Sequence, residues 1–327
     1  KDKKIMHNPD REFTDLNKLP PLPYHLIDIK NYRTKRLNVS SFFMETSRGC
    51  PKNCGYCYNK FFNKTRWRAL SAENVIKNIK QVVDDFKIKN IYFYDDNFFV
   101  HAKRAEDIVE GIIKEKLDIM WEPQGSEILH VAKLSDKSLK LIEKSGCSRL
   151  TFGVETGSKR ILNLVNKHIS PKKVLDLNKK LTRYRMIANY NFMCGFPTET
   201  LDDLRKTVNL SLKLLEQNKN ATVSGIIIYT PYPGTDLYPL ALKQGLAQPP
   251  ALEGWIDYNT DTVNLPWLSK ERKKLLESLF ICSMFFDKKS DELNAPKTIK
   301  SLAKIYRPIA KARLRNMFFK LMVEKTF

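Results

Sequence analysis

The chain reads as an α/β protein built on a parallel sheet, and two observations carry that expectation. Between about residues 41 and 235, short apolar, β-branched or aromatic runs alternate with stretches of helical periodicity, the pattern of successive βαβ units. Composition supplies the second: 327 residues, 42% of them hydrophobic, suffice to bury one large core with smaller additions around it.

The expected strands are Phe42 to Glu45, Asn90 to Tyr94, Asp118 to Trp121, Arg149 to Gly153, Ala188 to Met193 and Val223 to Tyr229. Between them Val75, Ile79, Val82 and Phe86 recur at helical spacing, as do Leu201, Leu204, Val208, Leu212 and Leu215. Ser170 followed by Pro171 predicts a cap with proline in the first helical turn. Thr200 with Asp203 predicts a capping box with aspartate in the reaching role. Periodicity alone leaves two architectures for six parallel strands, an open doubly wound sheet or a partial barrel. Both put functional groups in loops at the carboxyl ends of strands.

The flanks differ in character. Residues 1–40 are expected to form an extended linker, because Pro20, Pro21 and Pro23 exclude a helix or a central strand, and a further domain upstream of Lys1 is allowed for. Residues 236–327 are expected to form a mainly helical extension. There Trp255 and Trp267 flank a polar stretch ending at Pro266, and helix follows from Ser269 to Phe286. The last 28 residues hold eight Lys or Arg and one acid, with Phe318, Phe319, Leu321 and Met322 interleaved. Such a basic amphipathic tail suits an anionic membrane surface or nucleic acid. The net charge of +21 points the same way, although solvated surface lysines account for much of such a balance. No ribonucleoprotein-type signature accompanies it, so nucleic acid stays an open alternative. No apolar run reaches the ~18 to 20 residues of a membrane span, and no signal peptide is visible, so a cytoplasmic protein is expected.

Chemistry concentrates in one loop, Cys50-Pro51-Lys52-Asn53-Cys54-Gly55-Tyr56-Cys57, directly after the first expected strand. A structural zinc takes four ligands and disulfides take an even count, so three thiolates leave a metal centre with one position open. Three and then two intervening residues suit a loop that wraps a cube-shaped cluster and ligates three of its four irons. The plain alternative is a zinc or iron–sulfur binding module that borrows a distant fourth ligand, since no histidine lies between His25 and His101. Cys147, Cys194 and Cys282 are scattered, as in a reducing compartment, and are expected to be small buried residues; Cys194, near a strand end, stands within reach of an active site.

The CxxxCxxC run, led by Ser47-Arg48-Gly49 and with Tyr56 just before its third cysteine, resembles the hallmark of the radical S-adenosylmethionine family. That resemblance selects the barrel: a partial (β/α)6 TIM-like barrel over residues 41–235, with a mainly helical C-terminal extension. It implies that Cys50, Cys54 and Cys57 hold a [4Fe-4S] cluster whose fourth iron is chelated by S-adenosylmethionine, and that an electron from the cluster yields a 5'-deoxyadenosyl radical. Tyr56 is then placed against the adenine.

The other strand ends extend the likeness. Tyr94-Asp95-Asp96-Asn97-Phe98 departs from the family's common Gly-Gly-Glu and is similar to the Asp-Asp-x-Phe version of its cobalamin-binding and methylthiotransferase-like branches. Asp95 and Asp96 are thereby implied to hold the amino group of S-adenosylmethionine, against the alternative of an acidic loop facing water. Gly153-Val154-Glu155-Thr156-Gly157-Ser158 resembles the family's Gly-x-Glu-Ser-Gly-Ser segment, which implies that Glu155 accepts hydrogen bonds from a ribose; the alternative is a charge at a helix N-terminus. Lys167 sits where related branches direct a basic residue at the methionine carboxylate, the alternative being an exposed lysine. Gly195, in a run resembling Gly-x-Pro-x-Glu-Thr, is implied to let the backbone approach the adenosine. Gln124 is a further candidate for cofactor contact, and Tyr229 or Tyr232 for a pocket wall.

Leu22-Pro23-Tyr24-His25-Leu26-Ile27-Asp28, together with the Ser-Arg-Gly-Cys-Pro and Tyr-Asp-Asp-Asn runs, resembles the cobalamin-dependent branch, although no Asp-x-His-x-x-Gly motif occurs in the chain. The implied function is hydrogen abstraction from an unactivated carbon, leading to C-methyl transfer or to cyclisation or rearrangement. Cobalamin is a candidate third cofactor. The implied partners are a small-molecule or lipid substrate, an electron donor such as flavodoxin or ferredoxin, and a peripheral membrane contact. Two alternatives stand beside this: a tRNA-modifying methylthiotransferase-like enzyme, and the non-enzymatic metal module.

Overall fold

The computed structural model describes residues 6, 8–32, 34–36, 39–256, 258–259, 263–285, 287 and 297–319. Residues 8–32 run over the surface with three short 3-10 turns, Leu16–Lys18, Tyr24–Leu26 and Ile29–Tyr32. Tyr24 anchors this stretch by packing edge-on against Phe42 and Phe86.

Strand β1 (Thr34–Arg36) then pairs antiparallel with β2 (Val39–Met44), and β3 (Ser47–Arg48) pairs antiparallel with β4 (Arg68–Ala69). The cysteine loop and α1 (Asn59–Asn63) lie between the last two. The βαβ units follow: α2 (Ala72–Phe86), β5 (Asn90–Phe93), α3 (Ala102–Lys114), β6 (Met120–Pro123), α4 (Ile128–Ala132), α5 (Asp136–Lys144), β7 (Arg149–Glu155), α6 (Lys159–Leu164), α7 (Pro171–Leu181), β8 (Ile187–Cys194), α8 (Leu201–Gln217) and β9 (Ala221–Ile228). The chain continues through α9 (Tyr238–Lys243), α10 (Lys270–Ser283) and α11 (Lys297–Asn316).

All six expected parallel strands are present. β2, β5 and β6 form one parallel set and β7, β8 and β9 another. A single parallel bridge between Trp121 and Cys147 joins the sets, with the Trp121 N–H on the Gly146 carbonyl and the Ser148 N–H on the Trp121 carbonyl, each at 3.0 Å. Gly146 has φ +94°, and a Cβ there would lie 2.1 Å from the Ile119 carbonyl oxygen, so only glycine passes this seam. Among the described residues β9 and β2 do not pair, so the sheet is an open partial barrel. The third strand starts two residues later than its sequence suggested, because Ile119 closes a tight turn onto the Leu117 carbonyl before pairing begins.

Alternation along the strands separates the two faces of the sheet. Phe42, Met44, Ile91, Phe93 and Trp121 pack against the helices, joined by Val75, Ile79 and Val82 of α2, all fully buried. The opposite, concave face carries Phe43 and Tyr92, then Glu122 and Arg149, then a row of amides and hydroxyls. There Asn189 Oδ1 accepts from Thr222 Oγ1 at 2.9 Å and from Ser224 Oγ at 3.1 Å. Cys194 ends β8 on the helix side, in line with Tyr190, whose hydroxyl donates to Asn178 of α7. It is fully buried, and burial pushes its thiol well above the usual range, so it is a packing residue rather than an active-site thiol.

Cap chemistry sets the helix starts. Ser170 caps α7 with Pro171 in the first turn, and Thr200 and Asp203 form the reciprocal box that opens α8. Leu201 departs from expectation: it is half-exposed in the first turn, where the helix has not yet rotated its apolar face inward. Asp203 does more than cap, since it also accepts from Ser158 Oγ at 2.5 Å and pairs with Arg160, tying α6 to α8. Among the C-terminal helices, α10 covers β9, with Ser283 Oγ accepting from the Ile226 N–H at 3.3 Å. Leu276, Leu279 and Cys282 of α10, together with Tyr306, Ala310 and Leu314 of α11, join the barrel's own core.

Asp203 is buried and multiply bonded, so Asp203→Ala is expected to cost about 2 kcal/mol in a denaturant titration. Burial opposes its charge, but Arg160, Ser158 and Thr200 outweigh burial and hold the carboxyl well below its ordinary range. Its contribution should therefore be complete above an unfolded value of about 3.9 and be lost as pH falls below that, with no loss towards alkaline pH.

Candidate active site

The cysteine loop is held by backbone bonds to three parts of the chain. The Gly55 N–H reaches the Val165 carbonyl after α6 at 2.8 Å, and the Leu237 N–H reaches the Gly55 carbonyl at 2.9 Å. The Asn166 amide donates to the Asn53 carbonyl at 3.1 Å, and Gly49 N–H donates to Asp96 Oδ2 at 2.9 Å. A short loop with so many anchors presents its three thiols, all half-buried, in one place.

Tyr56, Glu155 and Lys167 come together beside Cys54. Glu155 Oε1 accepts from the Tyr56 hydroxyl at 2.7 Å and from Lys167 Nζ at 3.0 Å. Two backbone features aim the carboxylate: a register shift between Gly153 and Glu155 where β7 pairs with β8, and a φ of +69° at Glu155. Non-glycine residues adopt that conformation uncommonly, and here it turns the side chain at the end of β7. Glu155 thus ends a strand, and the helix-terminus alternative falls, because Ser158 caps α6. The exposed reading of Lys167 falls as well: its side chain is only 12% exposed. Burial by itself lowers its pKa, but the charges of Glu155 and Cys54 outweigh that and hold the ammonium above its ordinary value. Burial, reinforced by Glu155 and Cys54, pushes the Tyr56 phenol far up, so it stays a donor.

The adjacent acids divide. Asp95 is buried and turned into the protein, accepting from the Thr46 N–H at 2.7 Å and from the Thr46 and Ser47 hydroxyls at 2.6 Å each. Burial raises its pKa despite those bonds. Asp96 is exposed and reaches the cysteine loop through Gly49. Gln124 is exposed at the end of β6, with its N–H on the Phe93 carbonyl. Gly195 lies under α10, next to Phe196, whose cluster also takes in Tyr56 and Trp267. It has φ +78°, its N–H donates to Glu199 Oε2 at 2.7 Å, its carbonyl accepts from Trp267 Nε1 at 3.0 Å, and a Cβ there would meet Ile228 and Leu276 at 3.3 Å. Burial pushes Glu199 up to about 7. Tyr229 is buried and stacked on Phe196, whereas Tyr232 is exposed.

Sequence reasoning passed over Asn97, which stands next to the Cys50 thiol, and His130 behind it. Asn97 Nδ2 lies 3.5 Å from Cys50 Sγ and 3.1 Å from His130 Nδ1. Asn97 directly follows the two acids and His130 is one of only five histidines, but their meeting requires the loops after β5 and β6 to touch, which no local pattern encodes.

The thiols fit a bound cationic group. Burial pushes Cys57 up to about 11, and the charges of Cys54 and Cys50 add to it; Cys54 is raised in the same manner. Thiolates in such surroundings need a metal to hold them deprotonated. Among the described residues no three His, Cys, Asp or Glu side chains converge on a single-ion site, so the nature of the group rests on the loop's spacing and on kinship. Residues 44–211 match the Radical SAM superfamily. The chain belongs to that family. It is an enzyme family, so the metal-module alternative is set aside, and its members pair a [4Fe-4S] cluster with S-adenosylmethionine.

This radical SAM chain is 31% identical over 282 residues to an uncharacterized methyltransferase of Pyrococcus horikoshii, covering 85% of this chain and 58% of that protein. A tRNA-2-methylthio-N(6)-dimethylallyladenosine synthase of Sulfurihydrogenibium is 24% identical over 225 residues, 66% of this chain and 49% of that one. The structure of the cobalamin-dependent S-adenosylmethionine radical enzyme OxsB, with aqua-cobalamin and S-adenosylmethionine bound, superimposes with a TM-score of 0.64 at 19% identity, over 84% of this chain and 46% of that one. The chain therefore spans about half the length of the relatives it matches.

Lys167→Met leaves the Glu155 carboxylate buried without its cation and is expected to cost about 3 kcal/mol in chemical denaturation. Adding Glu155→Gln should recover part of that loss, a coupling that a double-mutant cycle measures.

Proposed function

We propose that this chain is the catalytic core of a radical S-adenosylmethionine enzyme that functionalises an unactivated carbon, most simply by C-methyl transfer with cobalamin as a further cofactor. The observation that carries this reading is the anchored loop of three half-buried thiols with the buried Glu155 and its partners Tyr56 and Lys167 beside it. The methyltransferase name of the Pyrococcus horikoshii relative and the cobalamin of OxsB support the choice of reaction. The tRNA-modifying alternative draws on a weaker likeness over less of the chain.

In this reading Cys50, Cys54 and Cys57 hold the cluster and leave one iron for S-adenosylmethionine. When bound, cluster and S-adenosylmethionine supply a one-electron cleavage whose product abstracts hydrogen from carbon. Tyr56 presents its ring edge to the adenine while its hydroxyl is fixed on Glu155. Glu155 Oε2 remains for the ribose, and Lys167 neutralises Glu155 and faces the methionine carboxylate. Asp95 locks the ends of β2 and β5 together, so Asp96 is the acid that contacts the amino group. Gly195 shapes the adenosine side from beneath α10, and Gln124 is available at the rim. The substrate is a small molecule or lipid taken on the concave face, and the electron comes from a flavodoxin or ferredoxin type of donor.

A cytoplasmic enzyme with a peripheral membrane contact fits α11. Its buried face is Ala303, Tyr306 and Ala310; Leu302, Ile305 and Ile309 form an exposed apolar stripe on one flank of that face, and Lys300, Lys304 and Lys311 lie on the other flank. No helix of the described residues is long and apolar enough to cross a membrane. Residues 320–327, part of the expected tail, lie outside the described residues.

Anaerobic reconstitution with iron and sulfide, followed by S-adenosylmethionine and dithionite, should give 5'-deoxyadenosine that is lost in Cys54→Ala, read by mass spectrometry. S-adenosylhomocysteine appearing when cobalamin and substrate are present marks methyl transfer, and a protein that takes up zinc but no iron would end this reading. For the membrane contact, the double variant Ile305→Glu/Ile309→Glu is expected to bind anionic vesicles at least about tenfold more weakly in flotation. Equal binding by variant and parent would remove α11 from the contact.

A further inference from the structure

Asn97 is buried at 1% exposure in the turn after β5, and its backbone is fixed by the Trp67 indole N–H on its carbonyl at 3.2 Å. Its side-chain amide has two hydrogens and two neighbours, Cys50 Sγ at 3.5 Å and His130 Nδ1 at 3.1 Å. A thiolate sulfur accepts and does not donate, so once Cys50 is a ligand the amide must turn Nδ2, and not Oδ1, towards it. His130 Nδ1, which lies 3.1 Å from Nδ2 and 3.5 Å from Oδ1 of that amide and 3.6 Å from Glu127 Oε2, takes the second amide hydrogen when the ring is the neutral tautomer with its proton on Nε2. Burial lowers the His130 pKa and supports that neutral form, with Glu127 opposing and Lys52 and Lys133 assisting. Glu127 caps α4 through the His130 N–H at 3.0 Å, so the ring is carried on a fixed helix start.

We infer that Asn97, oriented by His130, is a positioning residue that donates a hydrogen bond to the Cys50 sulfur and so sets the reduction potential of the cluster. The inference rests on Cys50 being a cluster ligand. A donor on a ligating sulfur withdraws electron density from the iron and favours the reduced cluster, so the potential rises. Of the three ligands Asn97 reaches the Cys50 sulfur, and His130 acts on it through Asn97. Neither residue is needed to complete the ligand set, so the cluster should survive their replacement.

The test is an EPR-monitored redox titration of the reconstituted full chain beside Asn97→Leu, His130→Leu and His130→Gln, with iron and sulfide content measured for each. Asn97→Leu should move the midpoint to lower potential by up to about 59 mV, a tenfold change in the reduction equilibrium. His130→Leu should move it in the same direction by less, and His130→Gln, which restores an acceptor, should return it towards the parent value. A structural role alone would not produce that ordering. Asn97→Leu with a full cluster and the parent potential would overturn the inference. Should Asn97→Leu fail to hold a cluster, identical potentials for His130→Leu and His130→Gln would overturn it instead. A parent chain that takes up no cluster would defeat the ligand assignment, and this inference with it.

Discussion

The buried contact of Glu155 with Tyr56 and Lys167 is the constraint on which the arrangement of this molecule turns. Tyr56 belongs to the loop between β3 and β4, and Glu155 ends β7 in the other half of the sheet. Among the described residues one bridge, at Trp121 and Cys147, joins those halves edge to edge, with the Ser126 N–H on the Thr151 carbonyl at 3.0 Å beyond it. The carboxylate therefore acts as a strut across the mouth of an open barrel, and its Oε1 can reach both partners because the bulge and positive φ at Glu155 turn it out of the strand's alternation. A carboxylate so deep in protein is tolerable only with a cation against it, which is why the Lys167 side chain is largely withdrawn from solvent. The backbone bonds from Gly55 to Val165 and Leu237 add to the same closure and keep the three thiols in place.

The sheet is organised by a division between its faces. The helix side is filled by aromatic and branched aliphatic residues, and those contacts hold the strands in curvature. The concave side is lined by Phe43 and Tyr92 in one half and by Asn189, Thr222 and Ser224 in the other. Polar groups buried in strands are costly unless bonded to each other, and here they are bonded across β8 and β9. The C-terminal helices belong to the same construction: Trp267 fixes the Gly195 carbonyl, and α10 buries Leu276 and Leu279 against the barrel core.

Much of this was legible in the sequence, for local reasons. The six strands could be placed because parallel strands between amphipathic helices leave a two-period signature, and the caps of α7 and α8 because Ser-Pro and Thr-x-x-Asp act over one turn. The cysteine loop was legible because its spacing is local, and Glu155 because the likeness of its glycine-flanked segment is local too. The exposure of Lys167 was not legible, since a lone lysine says nothing about whether a carboxylate from another strand will meet it. Asp95 and Asp96 look equivalent as neighbours, yet in the turn after β5 one points inward to Thr46 and Ser47 and the other out to the cysteine loop.

The sequence by itself determined the alternation of strands and helices, the triple-thiol loop and the family to which they point, because each is written in contiguous residues. The tertiary structure alone decided which charges meet. Tyr56 finds Glu155 across 99 positions, and Asn97 finds His130 across 33. Such contacts follow from the curvature of the sheet and the packing of loops at its mouth. Those depend on the whole core, and no window of the chain contains them.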